Sequence, residues 1–221
     1  MNICVLGLWH LGSVTAACMA KLGHSVVGLD FDEHRVASLN AGMPPVFEPG
    51  LEELLRAGLA AGGLRFSHTV GAATAGAQIL WVTSDTPISN DGDAQPDLVM
   101  QQLERVIPAL DAGTLVLVSS QLPIGSTRAL QQRAARQRGG DSLSCACVPE
   151  NLRLGSALND FLRPDRIIAG VDSHSEQRVL QELLGTIGAP IEWMSLESAE
   201  MTKHATNAFL AASVTFANEV A

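Results

Sequence analysis

Short runs of almost uninterrupted apolar residues alternate with longer amphipathic segments along most of the chain. Strands covered on both faces carry such runs, and their alternation with helices is typical of a parallel sheet. The predicted strands are residues 2–7, 25–30, 78–83, 114–119, 143–148 and 166–171, and the predicted helices are 11–22, 33–40, 96–110, 126–138 and 175–186. The sequence therefore predicts an α/β fold with a doubly wound, mainly parallel, Rossmann-like sheet, in which cofactors bind beyond the carboxyl ends of the strands.

The first twenty residues are nearly uncharged and must be distinguished from a signal peptide. A signal peptide has a basic segment before its apolar run, whereas here the first cation is Lys21 and two glycines interrupt the run. We therefore interpret these residues as a buried strand and helix. No later apolar run approaches the roughly 20 residues of a membrane span, so we expect a cytoplasmic protein with no membrane partner.

The charge balance excludes another class of partner. Fourteen Lys and Arg residues against 23 Asp and Glu residues give a net charge of −9, so no nucleic acid partner is expected. A phosphate-bearing ligand must instead be held by backbone dipoles or by a few placed cations. The four cysteines, Cys4, Cys18, Cys145 and Cys147, lie in apolar stretches without CxxC spacing and are predicted to be reduced core thiols, and no metal site is predicted.

The tail differs from the rest of the chain, because no Gly or Pro occurs in residues 196–221. Its apolar residues recur at helical spacing, which predicts one long helix with an apolar stripe. The stripe consists of Met201, Ala205, Ala208, Phe209, Ala212 and Phe216. We expect a cofactor-binding domain over residues 1–195, followed by the start of a longer helix at 196–221 that stops without a C-cap, as in the front part of a longer protein.

A strand, a glycine-containing turn and a helix open the chain. In the dinucleotide fingerprint GxGxxG the first glycine makes the turn, the second lets the backbone approach the pyrophosphate, and the third lets the helix pack on the strand. Gly7 and Gly12 fill the first and third places, but Trp9 occupies the second, where its side chain is expected to hold the pyrophosphate at a greater distance. An ordinary tight turn remains the alternative interpretation.

Asp30 closes the second predicted strand, where a carboxylate accepts hydrogen bonds from the adenosine ribose and repels a 2′-phosphate. This position favours NAD over NADP. The alternative is that Asp30 or Asp32 only caps the next helix. Arg35, one turn into that helix, is either a residue that lies across the adenine or a solvated surface cation.

Several further motifs carry a family resemblance. In chain order they are Gly-Leu-Trp-His-Leu-Gly at 7–12, Gly-Leu-Asp at 28–30, Glu-Pro-Gly-Leu at 48–51, Thr-Pro at 86–87, Ser-Gln-Leu-Pro-Ile-Gly at 120–125, Pro-Glu-Asn-Leu-Arg-Leu-Gly at 149–155, Pro-Asp-Arg-Ile at 164–167, Glu-Met-Thr-Lys at 200–203 and Asn-Ala-Phe-Leu-Ala at 207–211. The set resembles the UDP-glucose/GDP-mannose dehydrogenases, over essentially the whole chain. The resemblance corresponds to the family's N-terminal NAD domain and the start of its central helix, and it implies that the nucleophilic cysteine and the UDP-sugar domain lie beyond Ala221.

This resemblance implies a double oxidation, in which two NAD carry the C6 alcohol of a nucleotide sugar such as UDP-glucose through an aldehyde and a cysteine-bound thioester to a carboxylate. By the same resemblance, Lys203 and Asn207 stabilise the oxyanions and Glu150 activates the hydrolytic water. The alternatives are an exposed Lys203 paired with Glu200, and a loop glutamate that caps a turn.

The remaining expectations concern the cofactor and the partners. The residues expected to bind NAD are Gly7, Trp9, His10, Leu11, Gly12, Asp30, Arg35, Thr86, Ser119, Ser120 and Glu150. Most contacts to the nucleotide sugar are expected from residues beyond 221, and a homodimer is expected to form through the 196–221 helix. Since none of the four cysteines is predicted at a strand end with Glu150, the chain by itself is expected to be inactive.

Some residues depart from the family pattern. Gln121 replaces a threonine that orients water, Val148 and Asn151 replace the residues around Glu150, and Leu154 replaces an acidic residue. These changes concern the hydrolytic step more than the fold. Two other interpretations stay open: a 3-hydroxyacid or 6-phosphogluconate-type dehydrogenase, and a catalytically incomplete nucleotide-binding or oligomerisation module.

Overall fold

A computed structural model describes residues 1–89, 91–139 and 143–221. The strands are β1 (Asn2–Leu6), β2 (Ser25–Leu29), β3 (Leu64–Ser67), β4 (Ile79–Val82), β5 (Leu115–Val118), β6 (Ser144–Cys147), β7 (Ile167–Gly170) and β8 (Ile191–Met194). Within these ranges they form one sheet in the order β3-β2-β1-β4-β5-β6-β7-β8. All neighbouring strands in this sheet are parallel except β6 and β7, which confirms the predicted doubly wound, mainly parallel architecture.

Helices cover both faces of the sheet. They are α1 (His10–Lys21), α2 (Glu33–Asn40), α3 (Leu51–Ala60), α4 (Val70–Thr74), α5 (Pro96–Val106), α6 (Ser126–Gln137), α7 (Ala157–Leu162), α8 (His174–Leu184) and α9 (Leu196–Val220). Two large apolar clusters result, one on each face, and a third, small cluster joins Cys147 to the start of α9. The first contains Trp81 and the buried side of α1, and the second contains Leu80 and the buried side of α5. The first twenty residues form β1 and α1, as predicted.

The two strands that the sequence did not predict are the edges of the sheet. In β3, Leu64 and Phe66 are buried while Arg65 is exposed, and in β8 no residue is fully buried. An edge strand that faces solvent lacks the continuous apolar run by which the central strands were identified. Three helices, α3, α4 and α7, were also not predicted from the sequence.

The pairing between β6 and β7 differs from every other pairing in the sheet. It is antiparallel, and one pair of residues, Cys147 and Gly170, defines its register. A Cβ atom on Gly170 would lie 2.7 Å from the Cβ of Ala199 and 3.0 Å from the Cα of Leu196. The glycine therefore allows the start of α9 to pack directly on β7.

The last helix begins at Leu196, as predicted. Leu196, Ala199 and Glu200 are buried, but the apolar stripe farther along is exposed, with Phe209 76% and Phe216 69% accessible. Within the described residues, no helix combines the length and apolar character needed to cross a membrane. The domain boundary at residue 195 stays a prediction.

Candidate functional site

The turn after β1 depends on two glycines. Gly7 has a φ of +89°, and a Cβ there would lie 2.4 Å from the Oγ of Ser84. A Cβ on Gly12 would lie 1.8 Å from the carbonyl oxygen of Gly7. Both glycines are therefore required for the sharp turn and for the close packing of α1, which are the roles assigned to the first and third glycines of the fingerprint. Trp9, in the second place, is 45% exposed at the start of α1.

Asp30 lies at the carboxyl end of β2 and is tied to this turn. Its Oδ2 accepts hydrogen bonds from the backbone N–H of Leu8 and from Arg35 Nη1, both at 2.8 Å, and its Oδ1 accepts from the backbone N–H of Asp32 at 3.0 Å. The residue that caps α2 is Asp32, which accepts from the backbone N–H groups of His34 and Arg35. Asp30 is therefore not a helix cap.

A pocket of about 390 Å³ opens between this turn and the end of β4. The guanidinium carbon of Arg35 lies 5.2 Å from the centre of a Trp9 ring, so these two side chains form one wall. The residues that line the pocket are Leu6, Gly7, Leu8, Trp9, Asp30, Phe31, Arg35, Ser84, Asp85, Pro87 and Gln102.

A second pocket, of about 420 Å³, lies beyond the carboxyl ends of β4, β5 and β6. It brings together seven of the predicted residues: His10, Leu11, Thr86, Ser119, Ser120, Glu150 and Lys203. Ser84 and Asp85 line both pockets, so the two are adjacent. Asn207 is exposed one turn beyond Lys203 and is not among the residues that line either pocket.

Glu150 and Lys203 are two of the titratable groups that line the second pocket, and each affects the pKa of the other. Burial raises the pKa of Glu150 to about 8, and the charge of Lys203 limits the rise. Burial likewise lowers the pKa of Lys203, against the opposing effect of Glu150. The Lys203 ammonium donates a hydrogen bond to Asn151 Oδ1 at 2.8 Å. The departure from the family pattern at position 151 thus supplies the group that holds the lysine.

The two predicted serines after β5 have different environments. The Ser119 hydroxyl accepts a hydrogen bond from Trp81 Nε1 at 2.9 Å and donates to the carbonyl oxygen of Val148 at 2.5 Å, so it ties β4, β5 and β6 together. The Ser120 hydroxyl is buried and has no hydrogen-bond partner among the described residues. Since Ser120 lines the second pocket, its hydroxyl is the one that remains for a ligand. The hydroxyl of Thr86 donates to the carbonyl oxygen of Gln121.

Glu200 binds a helix terminus and not Lys203. Its carboxylate accepts hydrogen bonds from the backbone N–H of Gly125 at 2.5 Å and from the N–H and hydroxyl of Thr127 at 2.8 and 2.7 Å. This buried carboxylate therefore satisfies the N-terminus of α6. The interpretation of Lys203 as an exposed lysine paired with Glu200 is wrong.

Sequence reasoning assigned no role to Glu48, which is 3% exposed. Its carboxylate contacts His10 Nε2 at 3.1 Å and accepts from the backbone N–H groups of Gly155 at 2.9 Å and Ala157 at 2.8 Å. Burial alone would raise the pKa of Glu48, but these hydrogen bonds outweigh it and hold the pKa below its usual value. The hydrogen bond from Gly155 joins the last residue of the motif at 149–155 to Glu48, the first residue of the motif at 48–51.

The four cysteines are free and buried. Burial raises the pKa of each thiol to about 12. Cys147 is the last residue of β6, so the expectation that no cysteine ends the strand before Glu150 is wrong. It borders a cavity of only about 10 Å³ beside Lys203, too small for a sugar. Within the described ranges, no group of three or more His, Cys, Asp or Glu residues is arranged to hold a metal ion.

Comparisons with known proteins agree with the family resemblance. The model of the UDP-glucose/GDP-mannose dehydrogenase family, NAD binding domain, matches residues 1–187. UDP-glucose 6-dehydrogenase YwqF of Bacillus subtilis is 35% identical over 221 residues, which are 100% of this chain and 50% of that protein.

Two solved structures give the same result. A UDP-glucose dehydrogenase from Pyrobaculum islandicum has 39% identity and a TM-score of 0.89, over 99% of this chain and 52% of that one. A GDP-mannose dehydrogenase from Pseudomonas aeruginosa has 29% identity and a TM-score of 0.93, again over 99% and 52%. The chain spans about half the length of these relatives.

Proposed function

Because the chain belongs to the UDP-glucose/GDP-mannose dehydrogenase family, as its NAD-binding domain, we propose that it is the cofactor-binding half of a nucleotide-sugar 6-dehydrogenase. The proposed reaction is the oxidation of the C6 alcohol of a sugar such as that of UDP-glucose to the uronic acid. The observation that carries the proposal is the meeting of Glu150 and Lys203 on one wall of the second pocket, beyond the ends of the central strands.

The residues present fit a bound dinucleotide. The adenosine half is proposed to occupy the first pocket with its ribose at Asp30, and the nicotinamide half the second. Two features support this placement: Gly7 and Gly12 have no room for a side chain, and the buried Ser120 hydroxyl has no partner among the described residues. The N-terminus of α1 adds backbone N–H groups near the pyrophosphate.

Two residues of this chain are proposed to act in the reaction, Lys203 in the oxidation and Glu150 in the hydrolysis. When bound, NAD supplies a hydride acceptor for C6. The Lys203 ammonium, positioned by Asn151, is proposed to stabilise the oxyanion that develops on the substrate oxygen. With a pKa of about 8, Glu150 can exchange a proton near neutral pH and is proposed to activate the hydrolytic water.

The substrate is proposed to approach Glu150 from the side opposite the proposed nicotinamide position. A further pocket of about 380 Å³ shares Glu150 and Leu152 with the second pocket and is also lined by Asn151, Arg166, Thr202 and Thr206. Glu150 therefore lies between the proposed nicotinamide position and a further cavity, whose mainly apolar lining includes a few polar groups. Most remaining contacts to the nucleotide are proposed to come from chain that follows residue 221.

A homodimer through α9 is part of the proposal. The apolar side chains of Phe209, Leu210 and Phe216 are each more than half exposed on this helix, which supports burial against a second copy. Analytical ultracentrifugation of the chain and of the Phe209→Ser and Phe216→Ser variants tests this point. A monomeric wild-type chain contradicts it.

The activity itself is tested on the full natural polypeptide in which this chain occurs, by NADH formation from UDP-glucose. Lys203→Met and Glu150→Gln are expected to reduce kcat by at least about 100-fold while NAD affinity stays within about threefold. Lys21→Met, on α1, is the matched control and is expected to retain activity. A Lys203→Met enzyme with wild-type kcat contradicts the assignment.

A further inference from the structure

A carboxylate lies where the two cofactor pockets meet. Ser84 and Asp85 follow β4 and are the two residues that line both pockets. The Ser84 hydroxyl donates to Gln102 Oε1 at 2.7 Å, so it is engaged within the protein. Asp85 is therefore the charged group at the junction. A dinucleotide that occupies both pockets must pass its pyrophosphate across this junction.

The cations near the junction are already paired with other carboxylates. Arg35 contacts Asp30 at 2.8 Å, and His10 contacts Glu48 at 3.1 Å. Among the residues that the structure describes, no cation forms an ion pair with Asp85. The negative charge of Asp85 is therefore not neutralised by a direct contact.

The surroundings of Asp85 set its protonation. Incomplete hydration raises the pKa of Asp85, and the charges of His10 and Arg35 oppose the rise without cancelling it. The other titratable groups on the walls of the two pockets are Asp30, Glu150, Lys203 and His204. An aspartate in this setting carries a proton at a higher pH than an ordinary surface aspartate does.

We propose that Asp85 limits the affinity for NAD, because its carboxylate repels the cofactor's pyrophosphate at the junction of the two pockets, and that a proton on Asp85 relieves this repulsion. The inference rests on the placement of NAD proposed above. A charge pair several ångströms apart near solvent changes a binding constant by about threefold to tenfold. The binding of NAD is expected to weaken as the pH rises through the titration of Asp85.

The test compares NAD binding by calorimetry at pH 5 and pH 8 for the wild-type chain, Asp85→Asn and Asp93→Asn. Asp93 lies in the same connection, lines neither pocket and is exposed, so its substitution removes an equal charge elsewhere. Asp85→Asn is expected to bind NAD at least about threefold tighter than wild type at pH 8, and the difference is expected to shrink as the pH is lowered toward the titration of Asp85. Asp93→Asn is expected to match the wild type at both pH values.

Adenosine, which has no pyrophosphate, is the second probe and is followed by NMR titration. Its affinity is expected to be equal in wild type and Asp85→Asn. Three results overturn the proposal: equal or weaker NAD binding by Asp85→Asn, an equal gain for adenosine, or the same gain in Asp93→Asn. In each of these cases NAD still binds, so the cofactor site stands. If neither wild type nor Asp85→Asn binds NAD, the placement of the cofactor is wrong as well.

Discussion

The backbone N–H of Leu8 donates a hydrogen bond to Asp30 Oδ2 at 2.8 Å, so the turn after β1 and the carboxyl end of β2 are fixed to each other. The same oxygen accepts from Arg35, which in turn covers one face of Trp9. The carboxylate that is expected to meet the adenosine ribose is thus held in place before any ligand arrives. Pre-organisation of this kind reduces the entropic cost of binding.

The first prediction concerns cofactor choice. Because Asp30 repels a 2′-phosphate and the charge of Arg35 is paired with Asp30 and Asp32, NAD is expected to bind at least about tenfold tighter than NADP, or roughly 1.4 kcal/mol. Calorimetric titration of both cofactors measures this ratio. Asp30→Asn is expected to reduce it. Equal affinities of the wild-type chain for NAD and NADP contradict the role of Asp30.

The second prediction concerns Trp9, which stands where glycine normally lets the backbone approach the pyrophosphate. Trp9→Gly is expected to tighten NAD binding by a few-fold, because it removes both the Cβ and the exposed indole from the turn. Trp9→Ala removes the indole but keeps the Cβ, so it separates the effect of the indole on NAD affinity from the effect of the Cβ. Weaker binding by Trp9→Gly, measured by the same titration, means that the indole itself contacts the cofactor.

A third prediction follows from the pKa of about 8 at Glu150. Between pH 5 and 8 the folded chain holds a proton on Glu150 that the unfolded chain releases, so the free energy of unfolding falls as the pH rises over this range. Glu150→Gln is therefore expected to be more stable than wild type at pH 8, by about 1–3 kcal/mol, with little difference at pH 5.

Urea unfolding at the two pH values measures this effect. The contribution of Lys203 to the free energy of unfolding changes with pH in the opposite direction. Because its pKa is lowered in the folded chain, this contribution grows as the pH rises toward the usual pKa of a lysine. The exposed Glu53→Gln serves as the control and is expected to change stability by less than about 0.5 kcal/mol at either pH. A Glu150→Gln variant that is less stable than wild type at pH 8 contradicts the raised pKa.

The fourth prediction compares the stability contributions of a buried carboxylate, Glu200, and a partly exposed one, Glu197, on the same helix. Glu200→Ala leaves the start of α6 without its acceptors and is expected to cost about 1–3 kcal/mol of unfolding free energy. Glu197→Ala removes a partly exposed contact with Arg128 and is expected to cost less than about 1 kcal/mol. Thermal unfolding of both variants measures the difference, and equal losses contradict it.

The fifth prediction concerns this chain by itself. Each of its four thiols is buried with a pKa of about 12, so none is ready to form the thioester that the second oxidation needs near neutral pH. The first oxidation needs no thiol, but it needs a bound sugar, and most contacts to the nucleotide sugar are proposed to lie outside residues 1–221. We expect the chain to bind NAD but to form no NADH from UDP-glucose in an absorbance assay. NADH production that survives the substitution of Lys203 contradicts this expectation.

The central strands and the cofactor turn were predictable because their signals are local. Gly7, Gly12 and Asp30 occupy fixed positions relative to buried strands, so their placement follows from the fold class. Lys203 and Glu150 were identified only through the family resemblance, since they are far apart in sequence and meet through the packing of α9 against β6 and β7. The contact between Glu48 and His10 needs tertiary structure, because a single buried glutamate has no sequence signature.

The hydrogen-bond partners of the polar side chains were the least predictable feature of the structure. Sequence alone offered Glu200 as the partner of Lys203, since residues three apart on a helix are neighbours. The competing contact, with the N–H groups of Gly125 and Thr127, crosses more than seventy residues of chain and satisfies an otherwise open helix terminus. The sequence could not show whether Glu200 pairs with Lys203 or with the N-terminus of α6. The structure shows the second, because the N–H groups of that terminus need acceptors.

The antiparallel pairing of β6 with β7 rests on one pair of residues, Cys147 and Gly170, and is the shortest ladder in the sheet. Six strands are joined by continuous parallel ladders, whereas β7 is joined to β6 by this one pair. The other attachments of β7 and α8 are side-chain packing, through Ile167 and Leu180 in the first apolar cluster and through the start of α9. Amide hydrogens of β7 and β8 should therefore exchange with deuterated solvent before those of β1 and β4, and as one group. A local opening at this seam would loosen Lys203 from Glu150 while the NAD-binding turn stayed folded.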